Sequence, residues 1–152
     1  MRIRTDNSKK VVPAGIWNKC TACDAILYQQ ELEANLHVCP KCDNHMRIGA
    51  RKRLEAFLDE ESYSEIGEAL SPVYFLNFKE SKRYRDRSSA SQKKTGEKDA
   101  LVMMEGRLKG SQIIAGAFDF SFMGASMGSV VGERFVRGAA RALELKVPFV
   151  VF

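Results

Sequence analysis

The sequence predicts an α/β domain preceded by a small four-cysteine zinc ribbon. Two observations carry this. The cysteines form two C-x₂-C pairs, Cys20/Cys23 and Cys39/Cys42, with fifteen residues between them. After Asp99 the chain reads as strand, strand, glycine-rich loop, amphipathic helix and apolar strand, and its second strand, helix and last strand have the order of a β–α–β crossover.

Composition sets the frame. A chain of 152 residues holds one domain, or one domain with a small appendage. It is 45% hydrophobic and 28% charged, an ordinary globular balance. No run of about 18 apolar residues occurs, so no transmembrane helix and no membrane insertion is expected. The start "MRIRTDNSKK" has charges but no apolar run behind them, unlike a secretory signal. The cytosol is therefore the expected location, and there the cysteines stay reduced. The net charge of +5 suits a phosphate-bearing ligand, a nucleic acid or no special partner, and decides nothing alone.

Three regions follow. Residues 1–15 are polar and basic and read as a flexible arm. Residues 16–48 hold the cysteines. Residues 49–152 form the larger part. There "ARKRLEAFLDE" (50–60) predicts a short helix with Leu54, Phe57 and Leu58 as its apolar stripe. Residues 62–78 read as irregular, punctuated by Pro72. The charged stretch 79–98 is a solvated helix ending near Gly96, or a loop, and its basic run "KRYRDRSSASQKK" reads as a solvated face or as a holder of phosphate or RNA. Residues 100–120 predict two strands joined around Lys109-Gly110. The helix from Ser129 to Lys146 is expected to bury Val131, Phe135, Ala139 and Leu143, with Val136, Ala140 and Leu145 widening the stripe. "VPFVVF" is a continuous apolar run, which predicts a strand covered on both faces in a parallel part of the sheet. It reads as an interior strand, although the sequence stops on it.

The cysteine pairs specify the metal chemistry. Each C-x₂-C turn aims two sulfurs at one point, and the fifteen intervening residues can run out and back as a hairpin. Cys20, Cys23, Cys39 and Cys42 can thus close a tetrahedron around one Zn²⁺ per chain. Four thiolates leave no open position, so the metal is expected to be structural. His37 and His45 are read as ordinary surface residues near this site.

The loop "FMGASMGSVVGERF" places Gly124, Gly128 and Gly132 where a strand hands over to a helix. Free N–H groups there favour anions, and glycine permits close approach of a ligand. Equally, the three glycines could serve tight turning and helix–sheet packing. Met123 and Met127 are read as core or pocket-wall filler.

"KCTACDAILYQQELEANLHVCPKCDNHMRIGARKRLEAFLDE", "RSSASQKKTGEKDALV" and "FDFSFMGASMGSVVGERFVRGAARAL" resemble the β subunit of bacterial and plastid acetyl-CoA carboxylase carboxyltransferase. The resemblance runs from about residue 16 to 152. It implies a crotonase-like carboxyltransferase domain behind the ribbon, cut at an interior strand. It also implies pairing with a carboxyltransferase α subunit as α₂β₂, and cooperation with biotin carboxylase and a biotin carboxyl carrier protein. The implied reaction moves a carboxyl group from carboxybiotin to acetyl-CoA, giving malonyl-CoA for fatty acid synthesis. Biotin's own ureido group is then the base, so Asp119 and Glu133 are not expected to be catalytic. Gly124, Ser126, Met127 and Gly128 are the implied wall of an acetyl-CoA pocket. The family's oxyanion hole lies on a Ser-rich, double-glycine turn after the strand matching "VPFVVF". Residues 1–152 therefore contain no expected catalytic residue, and carboxyl transfer by this stretch alone is not expected. If the chain is of plant origin, the plastid stroma replaces the cytosol.

The competing reading is a zinc ribbon that binds RNA or DNA, or acts as a regulatory module. The knuckles "CTAC" and "CPKC" lack an aromatic residue for base stacking, which argues against it.

Overall fold

The computed structural model describes residues 16–74, 78–79 and 81–152; the arm expected at 1–15 lies outside these. The chain divides into two units, one ending at Arg47 and one running from Ile48 to Phe152.

In the first unit, β1 (Trp17–Lys19) pairs antiparallel with β2 (Ile26–Tyr28), and α1 (Gln29–Ala34) follows at once. Its core is Leu27, Leu32, Cys20 and Cys39, with Ala25 and Met46 packed alongside. So little apolar surface cannot hold a module of this size closed without a further link.

The second unit is built on a four-stranded sheet in the order β3 (Ser64–Glu65), β4 (Leu101–Leu108), β5 (Ser111–Phe118), β6 (Phe149–Val151). The first three strands are antiparallel, while β6 runs parallel to β5. Side chains alternate between faces along a strand. Val102, Met104, Ile113, Ala115 and Ala117 therefore meet Leu54 and Leu58 at helix α2 (Ala50–Phe57). Leu101, Met103 and Ile114 face the other way, toward Val131 and Ala142 of helix α4 (Ser129–Leu145). Phe57, as expected of the α2 stripe, packs against the first cluster.

The β4–β5 turn falls where the sequence places it. Lys109 and Gly110 both have positive φ, 51° and 81°. Asp59 fixes the turn: its two carboxylate oxygens accept the Lys109 N–H at 2.9 Å and the Gly110 N–H at 2.8 Å. The charged stretch is a helix, α3 (Tyr84–Thr95), closed by Gly96 in the left-handed conformation. It has no apolar stripe, and Ser88 is its buried residue.

Helix α4 departs from expectation. Its inward line is Val131, Arg134, Gly138 and Ala142, which advances by three and then four residues. A strict i+4 line such as Val131–Phe135–Ala139–Leu143 drifts around a helix of 3.6 residues per turn. Phe135 is 42% exposed, Val136 61% and Leu143 79%. Gly138 and Ala142 take the inner face where the helix lies close to the sheet. A Cβ on Gly138 would stand 2.7 Å from Met103 Sδ, and one on Gly116 of β5 would stand 2.7 Å from Met103 Cε. Phe135 reaches sideways instead, edge-on to Phe149 with ring centroids 5.3 Å apart. Within the described residues β6 pairs with β5 alone, and its residues are half-buried.

Candidate metal centre and glycine loop

The four cysteines converge. Their sulfurs all lie within 4.8 Å of one another. Cys20 Sγ is 3.7 Å from Cys42 Sγ, and Cys23 Sγ is 3.8 Å from Cys39 Sγ. A tetrahedron with Zn–S bonds of about 2.3 Å has sulfur–sulfur edges of about 3.8 Å, so the donor set fits Zn²⁺.

The two halves use the same turn twice. Cys20 N–H donates to Ala25 O at 2.9 Å, and Asp24 N–H to Cys20 O at 3.1 Å. In the second half Cys39 N–H donates to Asn44 O, and Asp43 N–H to Cys39 O, both at 2.9 Å. Asp24 and Asp43 follow their knuckles with φ of 58° and 55°. Asp tolerates this left-handed conformation better than most residues.

The sulfurs differ in their ease of ionisation. Backbone N–H groups of Cys23 and Ala22 bring the Cys20 thiol down to about 6. An N–H from Asn44 favours the Cys42 thiolate, but the Cys23 sulfur and burial outweigh it and raise Cys42 to about 12. Sulfurs packed this closely cannot all ionise without a cation among them. Among the described residues the metal-binding group contains these four sulfurs and neither histidine. His37 is half-buried and His45 exposed, and both line a surface cavity with Asn18, Gln29 and Met46.

The glycine loop connects β5 to α4 and lies at the carboxyl ends of the parallel pair. Phe118 N–H donates to Phe152 O at 3.0 Å, which brings the end of β6 beside the loop's start. Met123, Gly124 and Ala125 all have positive φ. Gly124, Ser126, Met127 and Gly128 are exposed, Met127 by 84%. A Cβ at Gly124 or Gly132 would meet nothing within 4 Å, and one at Gly128 only the Tyr84 hydroxyl, at 3.8 Å. These three glycines do not serve helix–sheet packing; Gly116 and Gly138 do. Gly128 begins α4 without any side-chain cap.

Asp119 is buried and spends one oxygen on the Ser121 N–H at 2.8 Å, holding the turn. Glu133 pairs on the surface with Arg137 at 2.7 Å.

Two groupings went unread in the sequence. Arg51 of α2 grips both oxygens of Glu97 at 2.8 Å and Glu65 of β3 at 2.7 Å. Glu65 also lies 3.5 Å from the fully buried Arg134 of α4, which donates to Leu101 O at 2.5 Å. Asp99 is buried too, and desolvation raises its pKa. No periodicity announces such a network, because its members come from four separate segments. On the ribbon, Trp17 and Tyr28 are cross-strand partners on an exposed face, with centroids 5.5 Å apart. The alternations W-N-K and I-L-Y beside the first knuckle carried that signal.

A four-thiolate ribbon followed by a helix-covered mixed sheet defines a class: zinc-ribbon chains with an α/β domain. Residues 17–42 match the acetyl-CoA carboxylase zinc finger domain. Most of the chain is similar in fold to solved transcarboxylase and acyl-CoA carboxylase structures. A transcarboxylase 12S solved with methylmalonyl-coenzyme A and methylmalonic acid is 24% identical over 70% of this chain and 18% of its own, with TM-score 0.53. A single-chain, multi-domain long-chain acyl-CoA carboxylase is 16% identical over 70% of this chain and 11% of its own, with TM-score 0.55. The β subunit of geranyl-CoA carboxylase from P. aeruginosa is 16% identical over 80% of this chain and 20% of its own, with TM-score 0.50. The second unit thus has the crotonase-like carboxyltransferase fold expected from the sequence, and the chain spans about a fifth or less of those structures.

Proposed function

We propose that this chain is the N-terminal part of the β subunit of an acetyl-CoA carboxylase carboxyltransferase. The observation that carries this is the union in one chain of a ribbon matching the acetyl-CoA carboxylase zinc finger and a carboxyltransferase fold. Zn²⁺ on Cys20, Cys23, Cys39 and Cys42 is structural. The open loop at Gly124, Ser126, Met127 and Gly128 forms one wall of the acetyl-CoA pocket. Its position at the carboxyl ends of parallel strands is where α/β sheets receive ligands.

Carboxyl transfer requires the enolate of the acetyl thioester, whose oxygen must be met by preorganised N–H donors. The residues described here orient the thioester and shield it. The donors belong to a turn following β6. Biotin, held on a carrier protein, supplies the carboxyl group. The partners are a carboxyltransferase α subunit, the carrier and biotin carboxylase, and the setting is the cytosol. Among the described residues no helix is long and apolar enough to cross a membrane.

The test is direct. A chain extended past Phe152 by its own downstream codons, assembled with the α subunit, makes malonyl-CoA from acetyl-CoA and carboxylated carrier. Residues 1–152 with the same partner make none. An assembled, zinc-loaded extended chain that fails to make malonyl-CoA would remove the reading.

A second reading draws on Trp17 and Tyr28, whose exposed rings could stack on single-stranded bases. Charge opposes it, since residues 16–47 carry three basic against four acidic side chains. Salt-dependent oligonucleotide binding that disappears in Trp17→Ala would favour it.

A further inference from the structure

The segment 79–98 contains eight basic and three acidic residues, an excess equal to the whole chain's net charge of +5. Its basic residues sit in an unexpected place. Lys82, Arg83 and Arg85 stand at the N-terminal end of α3, where the helix dipole disfavours cations. Arg83 occupies the N-cap position without a capping side chain. All three are exposed, and none forms an ion pair among the described residues. Asp86 on the same turn offsets the dipole in part, but one carboxylate stands against three cations, and a further anion would relieve their mutual repulsion.

The position of the turn narrows the choice of anion. Tyr84, between Arg83 and Arg85, packs against Tyr74 with centroids 5.8 Å apart. Its hydroxyl lies 3.8 Å from the site of a Cβ on Gly128. The cationic turn therefore borders the open glycine loop, and the start of α4 lies beside it. A ligand with a small reactive end in the loop and several negative charges farther along would satisfy both features. A coenzyme A thioester has this form, with a slim acyl arm and a phosphorylated nucleotide.

We propose that Lys82, Arg83 and Arg85 at the N-terminal end of α3 hold the phosphates of the coenzyme A nucleotide. The inference rests on the acyl-CoA reading above and adds the residues that recognise the carrier rather than the acyl group. Side chains that long reach outward from an exposed turn, and Arg matches phosphate oxygens two at a time.

The test titrates the zinc-loaded chain with coenzyme A and with 3′-dephospho-coenzyme A at two salt concentrations. The triple variant Lys82→Gln, Arg83→Gln, Arg85→Gln is expected to weaken coenzyme A binding at least about tenfold and to flatten its salt dependence. It should also narrow the gap between the two ligands. Lys93→Gln with Lys94→Gln, at the other end of α3, should change binding by less than about twofold. Circular dichroism should show the triple variant melting no lower than the parent, since it loses cations from the disfavoured end of a helix. If the triple variant binds coenzyme A as the parent does, the phosphate seat is elsewhere and the acyl-CoA reading survives. If a random oligonucleotide or pyrophosphate competes as well as coenzyme A, the turn is a general anion surface and the proposal falls. If the parent binds no coenzyme A, the acyl-CoA reading of these residues falls with it.

Discussion

Met103 lies in a slot closed on one side by Gly116 and on the other by Gly138. The two helical glycines Gly132 and Gly138 should consequently respond to alanine in opposite ways. In a helix, Gly→Ala is ordinarily worth up to about 1 kcal/mol in favour of alanine. Gly132 has open space and should show that gain. At Gly138 the new methyl meets Met103, which Gly116 prevents from backing away, and overpacking costs about 1–3 kcal/mol. Denaturant unfolding should place Gly132→Ala above the parent and Gly138→Ala below it. A second single residue governs acid behaviour. The Gly110 and Lys109 N–H groups hold the Asp59 carboxyl below its ordinary range. A depressed native pKa gives stability that is present above the unfolded value of about 3.9 and lost as pH falls through the native one. Asp59→Asn should flatten the acid limb of the stability curve there and leave its shape at neutral pH unchanged. The Lys109-Gly110 turn was legible because Gly marks such turns; the role of Asp59, fifty residues earlier, was not, because nothing local links them.

At the level of elements, short-range chemistry was the most readable. The C-x₂-C spacing encodes a turn, and that turn recurs with matching hydrogen bonds in both knuckles. Gly96 ends α3 where a left-handed cap is needed. On α4 apolar character alone does not mark the inner face: Val131 and Leu145 of the expected stripe pack on the core, but Phe135, Val136 and Leu143 do not. Gly138 and Ala142 face the sheet where the helix comes closest, and Arg134 is held inward by Leu101 O and Glu65, while Phe135, Val136 and Leu143 are exposed. The ribbon carries its own prediction. Apparent zinc affinities in small four-ligand peptides correspond to about 10–16 kcal/mol, far more than two buried leucines supply. Purified protein should carry one zinc per chain, and Cys20→Ser should lose it. Stoichiometric zinc in the double variant Cys20→Ser, Cys39→Ser, measured by atomic absorption, would overturn the assignment. Chelation should expose Leu27 and Leu32 and raise amide exchange across β1 and β2.

For the molecule as a whole, the mixed character of the sheet sets the order in which it can form. β4 and β5 are joined by a two-residue turn and pair over eight positions. β6 pairs over three positions and reaches β5 only after the chain has passed through the glycine loop and α4. Closing the longer connection costs more entropy before any contact repays it, so the hairpin belongs to the early, rate-limiting nucleus and β6 to the steps after it. Gly110→Val, which strains the turn, should chiefly slow refolding, whereas Val150→Ala should chiefly speed unfolding. A stopped-flow chevron separates the two. The glycine loop therefore gains its shape late and loses it early: the most open border of the sheet is also the part whose lifetime is shortest.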